Sequence, residues 1–138
     1  MEEPQVVRYR PGQEFSWHYD EVPSAQLENG GQRLVTLLVY LNTVSDDGGG
    51  GTVFRDLTDE HGQMLTVQPK RGTALLFFPG LADGTPDDRT LHKGEVMSSK
   101  DQEKWILQMW IHQHAYKAVL PPDNEQETAR AAVEEYQA

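Results

Sequence analysis

Cysteine is absent from the 138 residues. That excludes disulfides and every thiolate-held zinc or iron–sulfur site, and it suits a reducing compartment. Positive charge is scarce: 12 Lys and Arg stand against 22 Asp and Glu, a formal net charge of -10. An acidic body repels phosphate backbones, so nucleic acid is not an expected partner, and the bland reading of the charge is solubility. No apolar run approaches the roughly 20 residues that cross a bilayer. The opening Met1-Glu2-Glu3-Pro4 is not the basic-then-apolar start of a secretory leader. These absences together make the cytoplasm the expected location.

Helical periodicity is also scarce. Short apolar segments separated by Gly, Pro, Asp and Asn clusters dominate instead. They predict about eight strands: Gln5–Tyr9, Phe15–Tyr19, Arg33–Asn42, Thr52–Phe54, Met64–Gln68, Thr73–Phe78, Thr90–Val96 and Lys104–His114. Regular short strands with turns such as "RPGQ", "ENGGQ" and "SDDGGGG" predict a mainly β sandwich or barrel. "RLVTLLVYLN" and "TALLFF" read as buried on both faces and are expected to be central strands. The Gly/Pro-rich stretch Pro79–Arg89 has the look of an active-site loop or of idle surface. After Pro121-Pro122, Ala129, Ala132, Val133 and Tyr136 fall at i, i+3, i+4 and i+7, which predicts a C-terminal helix over about 124–137. One domain over 1–138 is expected, with its core over about 6–114.

The stretch "FSWHYD" carries the first chemical signal. Strand alternation puts Phe15, Trp17 and Tyr19 on one face, read as core, and Ser16, His18 and Asp20 on the other. A His-x-Asp pair alone describes a solvated strand end just as well. A second histidine changes this, because two imidazoles and one carboxylate on one face of a metal leave neighbouring positions open, as in non-haem Fe(II) oxygenases. His61 sits in the turn "DEHGQ" and is expected to be exposed. His112 and His114 share a strand face and form a rival pair, but lack a nearby carboxylate. His92, in "RTLHKGEV" after the long loop, is the best third ligand.

With these residues in view, the chain resembles the prolyl 4-hydroxylase group of Fe(II)/2-oxoglutarate-dependent dioxygenases, most closely the algal and plant type. The matching pieces run in order from about Val6 to His112: "VVRYRPGQEFSWHYD", "GGQRLVTLLVYLNTV", "GGGGTVF", "PKRGTALLFF", "LHKGE" and "KWILQMWIH". The resemblance implies a double-stranded β-helix, or jelly-roll, of about eight strands. It implies metal ligation by His18, Asp20 and His92, and a salt bridge from Lys104 to the distal carboxylate of 2-oxoglutarate. It sets Tyr9, Thr36 and Tyr40 in the co-substrate pocket, with hydroxyls toward the same oxygens. Trp110 borders that pocket and the substrate, and Arg33 positions a proline-containing peptide. The loops Glu21–Gly31 and Thr43–Gly51 would cover the peptide, with Gly48–Gly51 giving freedom to close.

The activity so implied is hydroxylation of a prolyl residue at C4, with Fe(II), 2-oxoglutarate and O2 as cofactors, ascorbate as reductant, and release of succinate and CO2. Phe15 stands where many relatives have tyrosine, Glu95-Val96-Met97 stands near their Pro-Val, and "SSKDQ" is a short insertion. The helices that precede the first strand in relatives are missing, so the chain reads as trimmed or as an unusually small member. Three other readings stand beside it: a dioxygenase of the same class acting on another residue or a small metabolite, a non-enzymatic, cupin-like metal-binding barrel, and an isolated fragment inactive for lack of its N-terminal helices.

Overall fold

β-branched and aromatic residues between turn-forming clusters build eight strands in the computed structural model, which describes residues 1–118. They are β1 (Gln5–Tyr9), β2 (Phe15–His18), β3 (Arg33–Tyr40), β4 (Thr52–Thr58), β5 (Met64–Val67), β6 (Ala74–Phe77), β7 (His92–Gly94) and β8 (Lys104–His112). Two antiparallel sheets result, ordered β1-β8-β3-β6 and β2-β7-β4-β5. Adjacent strands in each sheet are mostly distant in sequence, which is the jelly-roll pattern. The expected C-terminal helix over 124–137 lies outside the described residues. Among the described residues no helix is long and apolar enough to cross a membrane.

The sheets face each other through one side chain from every second position. On β3, Thr36, Leu38 and Tyr40 are buried, while Val35, Leu37 and Val39 are half-buried on the other face. On β8 the inward set is Lys104, Ile106, Gln108, Trp110 and His112. Leu38, Tyr40 and Ile106 form the closed end of the core, with Val7, Tyr9, Val67 and Leu75 packed on them. Phe54 of β4 meets Phe77 of β6 edge-to-face at 5.2 Å and ties the sheets together. The sandwich is therefore plugged at one end and open at the other, where the functional side chains collect.

Four expectations need correction. β6 is not central: its only strand partner among the described residues is β3, and Leu76 and Phe78 are exposed while Phe77 is buried. An unbroken apolar run conceals which alternate residues face in. Thr90 belongs to a 3-10 turn, Asp88–Thr90, capped by the Asp87 carboxylate on Arg89 N, so β7 starts only at His92.

The aromatic face of β2 is also not core. Phe15 pairs with Gly94 and His18 with His92, so three steps along β2 match two along β7. This bulge inserts one residue and reverses the alternation. Phe15 and His18 then share a face with ring centroids 4.0 Å apart, while Trp17 turns outward, 40% exposed, beneath the Lys93 ammonium.

The glycine tract is wedged rather than free. Gly49 has φ 71°, and a Cβ there would overlap the Val96 carbonyl oxygen. Gly50 N donates to Val96 O at 3.1 Å, and Ser98 N and Ser99 N donate to Gly48 O at 2.9 and 3.1 Å. The glycines serve close backbone approach against the inserted segment.

Candidate active site

The bulge at β2 delivers His18 to the cavity, and β7 delivers His92 directly opposite it. Their ring centroids stand 4.2 Å apart. Each ring is fixed the same way: His18 Nδ1 lies 2.8 Å from Ser16 O, and His92 Nδ1 lies 2.9 Å from Thr90 O. A carbonyl partner takes an Nδ1–H, which leaves each Nε2 with its lone pair aimed inward. Asp20 follows β2 and faces both: its Oδ1 is 3.6 Å from His18 Nε2 and 3.9 Å from His92 Nε2. Its Oδ2 accepts a hydrogen bond from Thr36 Oγ1 at 2.7 Å, so β3 orients the carboxylate.

His92 sits between Phe54 and Phe77, with ring centroids at 5.5 and 4.9 Å. Burial pushes its pKa down, against the pull of Asp20, and keeps the imidazole neutral. Two neutral imidazole nitrogens and one carboxylate oxygen, all within 4.8 Å of one another, suit a single divalent ion with open positions. Among the described residues this is the one group of three or more metal-capable side chains that converge. The rival pair does not form: β8 ends at His112, His114 is exposed, and His112 turns to other partners. His61 is exposed in its turn, as expected.

The triad borders a cavity of about 370 Å³ that runs between the sheets to Lys104. Lys104 is 2% exposed, and burial lowers its pKa to about 8 against a weaker upward pull from Glu95. Its ammonium lies 5.0 Å from the Tyr9 ring centre and 5.9 Å from that of Tyr40. A Cβ on Gly94 would stand 3.7 Å from Nζ, so the glycine keeps the space beside the ammonium open. Burial, with the charge of Asp20, raises the Tyr9 hydroxyl's pKa. Tyr40 departs from expectation. It is fully buried behind the cavity wall, its hydroxyl donating to Thr52 Oγ1 at 2.9 Å with Val67 O at 3.3 Å, and its pKa is pushed up to about 12 by burial. Thr52 lines the cavity in its place.

At the mouth, the Arg33 guanidinium lies 3.9 Å over the Trp110 ring. Two acceptors, one a carboxylate and one a backbone carbonyl, were not legible in the sequence pattern. Glu2 accepts from Arg33 Nε at 2.6 Å and Nη2 at 3.0 Å, and its Oε1 lies 2.7 Å from His112 Nε2. Burial would raise the Glu2 pKa, but the bonds from Arg33 and His112 outweigh it and hold the carboxyl below the usual range. The second is the Asp20 carbonyl oxygen, 3.3 Å from Arg33 Nη1. Trp110 Nε1 lines this region buried and without a hydrogen-bond partner among the described residues.

Gln32 was missed as well. Its amide, on a side chain 4% exposed, accepts from Val22 N at 2.5 Å and donates to Val22 O at 3.1 Å, which ties down the chain just past Asp20. Gln32→Ala leaves the Val22 groups unpaired, and thermal or denaturant unfolding should register a loss of about 1–3 kcal/mol. Stability within about 0.5 kcal/mol of the wild type would show that the tether carries nothing.

Comparison with known proteins agrees with this geometry. The chain is 35% identical to Prolyl 4-hydroxylase 2 of Arabidopsis thaliana, over an alignment covering 88% of this chain and 45% of that protein. Against a putative prolyl 4-hydroxylase of Acanthamoeba polyphaga mimivirus the identity is also 35%, covering 83% and 46%. The chain thus spans a little under half the length of these relatives. Among solved structures, the viral collagen prolyl hydroxylase of Paramecium Bursaria Chlorella virus-1, in its 2OG complex, superposes with a TM-score of 0.65 at 35% identity, covering 78% of this chain and 55% of that one. The family model of the 2OG-Fe(II) oxygenase superfamily matches residues 4–112, a span that takes in the three converging ligands, the buried lysine and both sheets. By that match, this chain belongs to the 2OG-Fe(II) oxygenase superfamily.

Proposed function

We propose that this chain carries out Fe(II)- and 2-oxoglutarate-dependent hydroxylation of a prolyl residue within a peptide or protein. One observation carries the reading: the His18, Asp20 and His92 donors converge in a cavity that has a buried lysine at its closed end and an arginine stacked on a tryptophan at its mouth. In this reading His18, Asp20 and His92 hold Fe(II), and the donor set matches that ion's needs. Bound together, Fe(II), 2-oxoglutarate and O2 supply the oxidation that yields succinate, CO2 and the new hydroxyl.

The chain's residues position and protect that chemistry. Lys104 pairs with the distal carboxylate of 2-oxoglutarate at the dry end of the cavity, where a charge-assisted bond is worth roughly 1.5–3 kcal/mol. Tyr9 and Thr52 border the same space, while Tyr40 acts through Thr52. Thr36 holds the Asp20 carboxylate in one orientation. Arg33 and Trp110 grip the peptide around the target ring: the guanidinium meets a carbonyl, the indole face packs on the pyrrolidine, and the unpartnered Nε1 offers a further donor. Glu2 and His112 keep the guanidinium over the indole.

The names of the relatives support prolyl chemistry, and the phenylalanine at position 15, beside His18, supports a flanking-sequence preference of this chain's own. The test is mass spectrometry on a panel of proline-containing peptides with wild type and Arg33→Ala. Hydroxylation at proline C4, reduced roughly 10- to 100-fold in Arg33→Ala through the loss of a charged hydrogen-bond donor, is expected. Modification of a non-prolyl residue, or undiminished activity in Arg33→Ala, would move the reading to a same-class oxygenase with another substrate.

A further inference from the structure

Met97 is 1% exposed and is held from both sides. Its N–H donates to Gln13 O at 3.0 Å and its carbonyl accepts from Gly12 N at 2.8 Å, while Gly49 bridges it in antiparallel fashion. The side chain runs beneath Gly50. A Cβ built on Gly50 would collide with the Met97 thioether sulfur, and the same point lies 3.5 Å from Lys104 Cδ and 3.7 Å from Met97 Cε. The thioether therefore fills the room that Gly50 leaves vacant beside the lysine's aliphatic stem. Among the described residues no hydrogen bond fixes the head of Lys104: its Nζ sees two tyrosine faces at 5.0 and 5.9 Å, the space beside Gly94 and the weaker pull of the Glu95 charge. A four-carbon stem with no hydrogen-bonded head takes its reach from the packing along it.

We propose that Met97 is a positioning residue that sets the depth of the co-substrate pocket. By backing the Lys104 stem it holds the ammonium where the distal carboxylate of 2-oxoglutarate arrives, and so selects against diacids one methylene longer. This rests on the reading of Lys104 as that carboxylate's partner. Met is an unbranched gap-filler. Removing it opens a cavity that a flexible neighbour can occupy. With the stem free to fold back toward Gly50, the pocket lengthens.

The test uses the full 138-residue chain loaded with Mn(II), with calorimetric titration of 2-oxoglutarate and of 2-oxoadipate. Wild type is expected to prefer 2-oxoglutarate. In Met97→Ala that preference should narrow or reverse, the ratio of the two affinities moving about tenfold or more, as the loss or gain of one buried methylene contact allows. Met97→Leu, which conserves volume, should stay within about threefold of wild type in that ratio. Mn(II) affinity without diacid should be the same in all variants, which a merely unfolded or loosened chain would not give. Should Met97→Ala fail to fold, Met97→Val, which removes the thioether end and adds a second methyl at Cβ away from it, is read by the same ratio. An unchanged ratio in a folded Ala or Val variant overturns the proposal while leaving the assignment of Lys104 intact. If wild type and Lys104→Ala bind 2-oxoglutarate equally, the Lys104 reading fails and this proposal falls with it.

Discussion

Asp20→Ala is expected to abolish metal binding and turnover together. Asp20 is the sole anion among the three converging donors, it is 6% exposed, and its two oxygens are divided between the histidines and Thr36. Without it, two neutral imidazoles face a divalent ion in a partly dry cavity, and nothing in the triad offsets the ion's charge. Even supporting partners of metal ligands cost about 10- to 100-fold when removed, so loss of the ligand itself should exceed about 100-fold in Fe(II) affinity. His18→Ala and His92→Ala should behave alike. Thr36→Val, which removes the bond to Oδ2 but keeps the ligands, should cost about tenfold. His61→Ala is the control, since that residue is exposed in its turn. Titration of Fe(II) or Mn(II) into each variant checks the series. Metal affinity retained in Asp20→Ala, or lost in His61→Ala, would show that the ligands are elsewhere.

Lys104→Ala should separate the co-substrate from the metal. The ammonium is the single buried cation of the cavity wall among the described residues, and in the proposed function it is the charged partner of the distal carboxylate. A loss of about 2–3 kcal/mol, roughly 30- to 150-fold in 2-oxoglutarate affinity, is expected with metal affinity nearly unchanged. Lys100→Ala, in the exposed inserted segment, should leave both intact.

The same lysine predicts a pH dependence. Burial lowers its pKa to about 8, so in the free protein it is charged below that value and neutral above it. Affinity for 2-oxoglutarate should be flat below about pH 8 and fall by about tenfold per unit above it, as the required proton must be taken up on binding. Folding responds in the opposite sense. Between about 8 and the ordinary lysine value the unfolded chain holds a proton that the native chain has shed, so native stability without ligand rises with pH across that window. Lys104→Met should flatten both profiles. Affinity measurements by calorimetry from pH 6.5 to 9.5, a range of about 1.5 units to either side, test the first.

Much of the site was readable in the chain because a strand's alternation is local. Thr36 lies on the inward face of β3, and Lys104 and Trp110 lie on that of β8, as an even spacing requires. The same rule applied to β8 marks His112, eight residues from Lys104, as inward-facing, and it is buried against Glu2. That signal was present, and reading His112 as a histidine at an exposed strand end passed over it. The rule failed at β2 because a bulge has no mark in "FSWHYD": one extra residue reverses the face of everything before it, and Phe15 leaves the expected core for the cavity wall.

Long-range partners left no trace at all. Glu2 meets Arg33 and His112 across separations of 31 and 110 residues, and nothing in the acidic N-terminal segment distinguishes it from Glu3. Tyr40 was expected to reach the co-substrate, yet its position on the strand could not reveal that Thr52 intercepts its hydroxyl. The four successive glycines suggested a hinge. Their role became visible only with the Val96–Ser99 segment folded against them.

The most direct test of the account is the balance between two products in one reaction. With Fe(II), 2-oxoglutarate, O2 and a proline-containing peptide, succinate release and peptide hydroxylation should rise together in equal amounts, the hydroxyl on the proline ring, and both should vanish in Asp20→Ala. Succinate formed without any modified proline, or peptide hydroxylation that persists in Asp20→Ala or without 2-oxoglutarate, would contradict it.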